Sequence, residues 1–112
     1  MTGCLFCRIA AHESVAEVDY EDDQVIAFKD IYPKAPVHVL IIPKRHISSL
    51  MAIEPEHTDV LGRCLLVARR LGEAKGFAER GYRIVVNSGP EGGQVIDHVH
   101  FHFLAGRRPP RD

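Results

Sequence analysis

The chain has 112 residues, 46% of them hydrophobic and 26% charged, with 14 Lys and Arg against 15 Asp and Glu for a formal charge of −1. That length suits one domain spanning residues 1–112, and the composition excludes a disordered chain. The even charge lacks both the basic footprint of a nucleic-acid binder and the polybasic patch of a membrane-surface protein, and no apolar run is long enough to cross a bilayer.

Residues 1–11 show no positive start followed by an apolar stretch, so no secretory signal is expected and the expected compartment is the cytoplasm. Cys4 and Cys7 flank Leu5 and Phe6 in a turn or short helix. Residues 17–21 and 24–30 read as strands joined at Asp22-Asp23, a hairpin signal. Residues 31–36 form a loop, because Pro33 and Pro36 fit neither helix nor central strand. Residues 37–42 read as a buried strand ended by Pro43.

Pro55 sits where a first helical position is favoured. From Asp59 the apolar residues Val60, Leu61, Cys64, Leu65, Val67, Ala68 and Leu71 recur with helical spacing, and Lys75 and Gly76 close the helix. Residues 82–86 are a strand rich in β-branched side chains, residues 87–93 a loop with three glycines and a proline, and residues 97–104 a last strand. Strands grouped around one main helix predict an α+β fold: a five-stranded, mostly antiparallel sheet with that helix packed on it and a short N-terminal helix.

The last strand carries the chemistry. Side chains alternate faces along a strand, so His98, His100 and His102 share one face while Val99, Phe101 and Phe103 share the other. A row of imidazoles can bind metal, move protons or attack as a nucleophile, whereas the bland alternative is a solvated sheet face. The loop before it, residues 87–94, offers backbone N–H groups unobstructed by side chains, which suits an anion such as phosphate. It lacks the Gly-Lys-Ser/Thr of a Walker loop.

Cys4-x-x-Cys7 has metal-ligand spacing, and the odd total of three Cys argues against a disulfide framework. A thioredoxin-type redox pair is the other option, disfavoured because no strand precedes the pair. Cys64 falls on the helical stripe as a small core residue. His12 and His57 read as exposed polar residues, and Arg107, Arg108 and Arg111 as a solvated basic tail.

His98-Val99-His100-Phe101-His102-Phe103-Leu104 resembles the signature of the histidine-triad family. Together with Phe28-Lys29-Asp30-Ile31, Ala35-Pro36-Val37-His38, Ile42-Pro43-Lys44-Arg45-His46-Ile47 and residues 81–94, it is similar to the Hint branch, whose members hydrolyse nucleoside phosphoramidates and related nucleotidyl conjugates. The resemblance spans nearly the whole chain. It implies that His100 attacks the α-phosphorus to give a nucleotidyl-histidine, its other ring nitrogen held by a backbone carbonyl, while His102 contacts phosphate oxygens and helps the leaving group. His38 would orient the site, and Asn87 and the Gly93 N–H would hold the phosphate. Asp30 would accept from the ribose hydroxyls, with Ile31, Phe28, Phe6, Leu5 and Ile9 forming the base slot. Val95 stands two residues after Gly93 where the branch commonly has Ser, and Asp97 stands where an aromatic is usual.

The resemblance also implies one structural Zn2+ per chain, held by Cys4, Cys7, His46 and His98 in a closed tetrahedron. It implies a homodimer acting on purine nucleotides such as AMP conjugates. Dinucleoside-polyphosphate hydrolysis, plain nucleotide binding and a catalytic metal centre are the rival readings.

Overall fold

The computed structural model describes residues 3–107, so Arg108 and Arg111 of the basic tail lie outside the described residues. The elements in chain order are α1 (Leu5–Ala10), β1 (Val18–Glu21), β2 (Val25–Lys29), β3 (Val37–Pro43), α2 (Thr58–Ala74), β4 (Arg83–Val86) and β5 (Phe101–Ala105). The five strands form one sheet in the order β1-β2-β3-β5-β4, and every neighbouring pair is antiparallel. The expected α+β architecture is the one observed.

The hairpin forms where Asp22-Asp23 predicted it. Asp22 Oδ1 accepts from the N–H groups of Gln24 at 2.8 Å and Val25 at 2.9 Å, an Asx turn that reverses the chain. Its other oxygen takes Tyr20 Oη at 2.8 Å and Arg63 Nε at 2.9 Å, tying the turn to α2.

β2 and β3 read as near-continuous apolar runs because both faces of the sheet are covered. Val25, Ala27, Val39 and Ile41 pack with Cys64, Val67, Ala68 and Leu71 of α2. On the opposite face Ile26, Phe28, Leu40 and Ile42 pack with Phe6 and Ile9 of α1. Cys64 is fully buried, as the stripe predicted, but Leu65 is exposed beside Leu66 on the outer side of α2.

Three expectations need correction. Pro55 opens a single 3-10 turn (Pro55–His57), and α2 itself begins at Thr58. His57 is buried, because its Nδ1 accepts from the Glu54 N–H at 2.9 Å as half of a capping box. The last strand begins at Phe101, four residues later than expected: the Val99 N–H bonds the Ile47 carbonyl at 2.7 Å rather than a strand partner. The predicted alternation survives this, with Val99, Phe101 and Phe103 in the core against α2. At the other end of the chain His12 is exposed as expected, with φ of 61° and Nε2 2.7 Å from Glu21 Oε2.

Candidate active site

β3 and β5 bring the histidines together. Leu40 pairs with His102 and His38 with Leu104, so His38 and His102 are diagonal neighbours on the α1 face of the sheet. His38 Nε2 lies 2.9 Å from His102 Nδ1. The Lys34 N–H donates to His38 Nδ1 at 3.0 Å, which leaves the proton of the neutral ring on Nε2. His38 therefore donates to His102 Nδ1, and His102 carries its own proton on Nε2. Asp30 Oδ2 lies 3.4 Å from His38 Nε2, and Asp30 Oδ1 accepts from the Tyr32 N–H at 2.8 Å.

His100 is set the opposite way. Its Nδ1 donates to the His98 carbonyl at 2.7 Å, leaving Nε2 with a lone pair. The ring is buried, with the edge of Phe6 packed at 5.1 Å between centroids. Burial first, then the neighbouring His100 and His38, pushes His102 down to about 4. Burial also lowers His38, against the opposing charge of Asp30. Both rings are thus neutral near pH 7, as the hydrogen-bond chain requires.

His100 and His102 line a cavity of about 430 Å³, whose walls include Leu5, Phe6, Ile9, Phe28, Asp30, Ile31, Asn87, Gly93 and Val95. Every candidate substrate-binding residue from the sequence is thus gathered at one site. Phe6, Ile9 and Phe28 are buried in its apolar wall, while Ile31 and Val95 are exposed at its rim. Asn87 Nδ2 donates to the Gly92 carbonyl at 2.8 Å, and the Gly93 N–H donates within its turn to the Pro90 carbonyl at 3.1 Å. Gly93 has φ of 85°, a left-handed conformation that favours glycine.

Sequence reasoning missed Lys34, Leu40 and Ile96, which also line the cavity. Leu40 was detectable, since it stands two residues from His38 on the same strand face. Lys34 contributes a backbone N–H to His38, and no residue type announces that. Arg107 of the expected solvated tail donates to the Lys34 carbonyl. Asp97 is exposed and takes no part in the hydrogen bonds of His98.

A second cluster adjoins the cavity. Cys4 Sγ is 3.4 Å and Cys7 Sγ 3.6 Å from His98 Nδ1, and Cys7 Sγ is 3.2 Å from His46 Nδ1. The four ligand atoms all lie within 4.8 Å of one another. A tetrahedral zinc with ordinary bond lengths holds its sulfur and nitrogen ligands about 3.5 Å apart, so the spacing fits that ion. His98 Nε2 lies 2.7 Å from the Pro43 carbonyl and donates to it, which turns the Nδ1 lone pair toward the thiols. Burial, then the hydrogen bond and charge of Cys4, push the Cys7 thiol up to about 11. A divalent ion would reverse that balance and displace the thiol protons.

The described residues contain no helix long and apolar enough to cross a membrane. The family model for the HIT domain matches residues 11–109. A purine nucleoside phosphoramidase of Escherichia coli (strain K12) is 43% identical over 103 residues, covering 92% of this chain and 87% of that protein. A 14 kDa zinc-binding protein of Brassica juncea is 43% identical over 106 residues, covering 93% of each. Among solved structures, a histidine triad protein from Clostridium difficile superposes with a TM-score of 0.97 at 39% identity, covering 100% of this chain and 97% of that one.

Proposed function

Because the chain belongs to the HIT domain family, we propose that it is a nucleotide hydrolase that cleaves nucleoside phosphoramidates at the α-phosphorus. The observation that carries this reading is the opposite tautomers of adjacent triad rings: His100 turns a lone pair, and His102 an N–H, toward one cavity. A nucleophile and a donor on the same sheet face are what displacement at phosphorus requires.

In this reading the apolar slot takes the base and Asp30 accepts from the ribose hydroxyls. His100 Nε2 forms a bond to phosphorus as the P–N bond breaks. The His102 Nε2–H meets the charge on the phosphoryl oxygens and the departing nitrogen, with Asn87 at the mouth. Water then cleaves the nucleotidyl-histidine and restores the His100 lone pair. Over the cycle one water supplies the proton that leaves with the amine and the hydroxyl that ends on phosphorus. His38 acts through His102, holding its Nδ1 so that the proton stays on Nε2. The Gly93 N–H would reach phosphate by leaving Pro90 or sharing between the two.

Cys4, Cys7, His46 and His98 would hold one Zn2+ with no position open to substrate, which makes the ion structural. The zinc-binding relative and the ligand spacing support it. We read the chain as one domain, since both core clusters belong to one sheet, and as a homodimer, since β4 is an outer strand and Leu65 and Leu66 are exposed on α2. Light scattering tests the dimer. Three free thiols suit the cytoplasm.

The test is release of AMP from adenosine 5′-phosphoramidate, with His100→Ala as control. The wild type should turn over, and the variant should lose about four orders of magnitude or more in kcat, as for other covalent nucleophiles. A wild-type protein that binds AMP and releases none from the amidate would overturn the phosphoramidase reading. Turnover of dinucleoside polyphosphates alone would shift it to that substrate class.

A further inference from the structure

α1 works on two sides at once. Cys4, at its N-cap, and Cys7 face the thiol–imidazole cluster, while Leu5, Phe6 and Ile9 wall the slot. The Phe6 ring sits between the two sites, with its centroid 6.0 Å from that of His98, 5.1 Å from that of His100 and 5.5 Å from that of Phe28. His98 links them a second time: its ring faces the thiols while its carbonyl holds His100 Nδ1. A helix of six residues has no stability of its own, since nucleation outweighs so few hydrogen bonds. Among the described residues, the side-chain hydrogen bonds from Cys4 and Cys7 to the body of the molecule end on His46 and His98.

We propose that the thiol–imidazole cluster and the apolar slot form one thermodynamic unit joined by α1, so that Zn2+ in the cluster raises the affinity of the slot for a nucleoside monophosphate, and the nucleotide raises the affinity of the cluster for Zn2+. The proposal rests on the reading of the slot as a nucleotide site. A metal that fixes α1 prepays the ordering of the slot wall, so a nucleotide bound second need not meet that cost. Reciprocity follows from linkage: each ligand shifts the other by the same factor. Nucleotide occupancy would then govern how readily the protein yields its metal, and metal supply how well it holds nucleotide.

The experiment uses the full chain, zinc-loaded and metal-stripped. AMP affinity is measured by calorimetry on both forms. Zinc affinity is measured by competition with a chromophoric chelator, with and without saturating AMP. Amide exchange is followed across residues 3–107. Stripping should weaken AMP binding about tenfold, and AMP should tighten zinc by the same factor. Exchange should quicken at residues 5–10 and slow again when AMP alone is added. A variant combining Cys4→Ser and Cys7→Ser should bind AMP as the stripped form does, indifferent to zinc. Equal AMP affinity in loaded and stripped protein would overturn the proposal. So would unfolding of the entire stripped chain by far-UV circular dichroism, since the coupling would then not run through α1. If neither form binds AMP, the nucleotide reading of the slot is what fails, and the proposal falls with it.

Discussion

At the scale of single residues, proton placement decides what the triad can do. Lys34 N–H, His38 and His102 form a directional chain, while the His98 carbonyl sets His100 the other way. Long-range proton–nitrogen spectra near pH 7 should therefore show His100 as the Nδ1–H tautomer and His38 and His102 as Nε2–H tautomers. The same tautomer on His100 and His102 would defeat the mechanism. Asp30 offers a second check. Asp30→Ala should raise KM for the ribonucleotide amidate about 10- to 100-fold, the cost of losing hydrogen bonds to a charged acceptor. The dideoxy analogue, having no hydroxyls to lose, should respond little. The triad itself was legible in the sequence because side-chain type and strand alternation place it. Lys34 was not, because its contribution is a main-chain N–H that any residue except proline would supply.

Among the elements, α2 carries two glycines with opposite prospects. A Cβ on Gly62 would meet nothing within 4 Å, whereas one on Gly72 would lie 2.5 Å from Tyr82 Cε2. Tyr82 is itself stacked on Phe103, with centroids 4.6 Å apart, so its ring has little room to yield. Gly62→Ala should raise stability by about 1 kcal/mol, the helix-propensity difference. Gly72→Ala should lower it by about 1–3 kcal/mol as an overpacked contact. Urea midpoints of the two variants settle both, and a stabilised Gly72→Ala would refute the contact. The sequence showed this helix by its period, yet it overstated the apolar face at Leu65. It also missed the burial of His57, whose ring serves a cap rather than a stripe. The late start of β5 has a similar cause. Alternating side chains reveal a face, but ladder pairing depends on which backbone lies alongside, and at Val99 that backbone is Ile47.

Across the molecule, the hairpin β1-β2 was readable from Asp22-Asp23, but the order β1-β2-β3-β5-β4 was not, because β5 inserts between β3 and β4 through long-range pairings that no local signal marks. Stability should track the titrating groups that folding shifts. His102 falls from its ordinary 6.5 to about 4 on folding, and His38 moves the same way. The unfolded chain then takes up protons first, so the stability they contribute is present above pH 6.5 and is lost as pH falls toward 4. Burial raises Asp22, but the Gln24 and Val25 N–H groups, Tyr20 and Arg63 outweigh it and hold the carboxyl at about 2, below its ordinary 3.8. Its contribution persists above pH 3.8 and disappears through 2. Urea midpoints should fall in these two stages, and a flat profile from pH 7 to 5 would contradict the first. Cys64, fully buried on the inner face of α2 with its thiol pushed up to about 12 by burial, brings a practical consequence. A mild thiol reagent added to the folded chain should find it silent and react with two sulfurs at most, both at the N-terminus. If zinc occupies the cluster, that count drops to zero and climbs to two as the ion is drawn off. The count of reactive thiols would then gauge how much of the cluster holds metal, readable by eye in a cuvette.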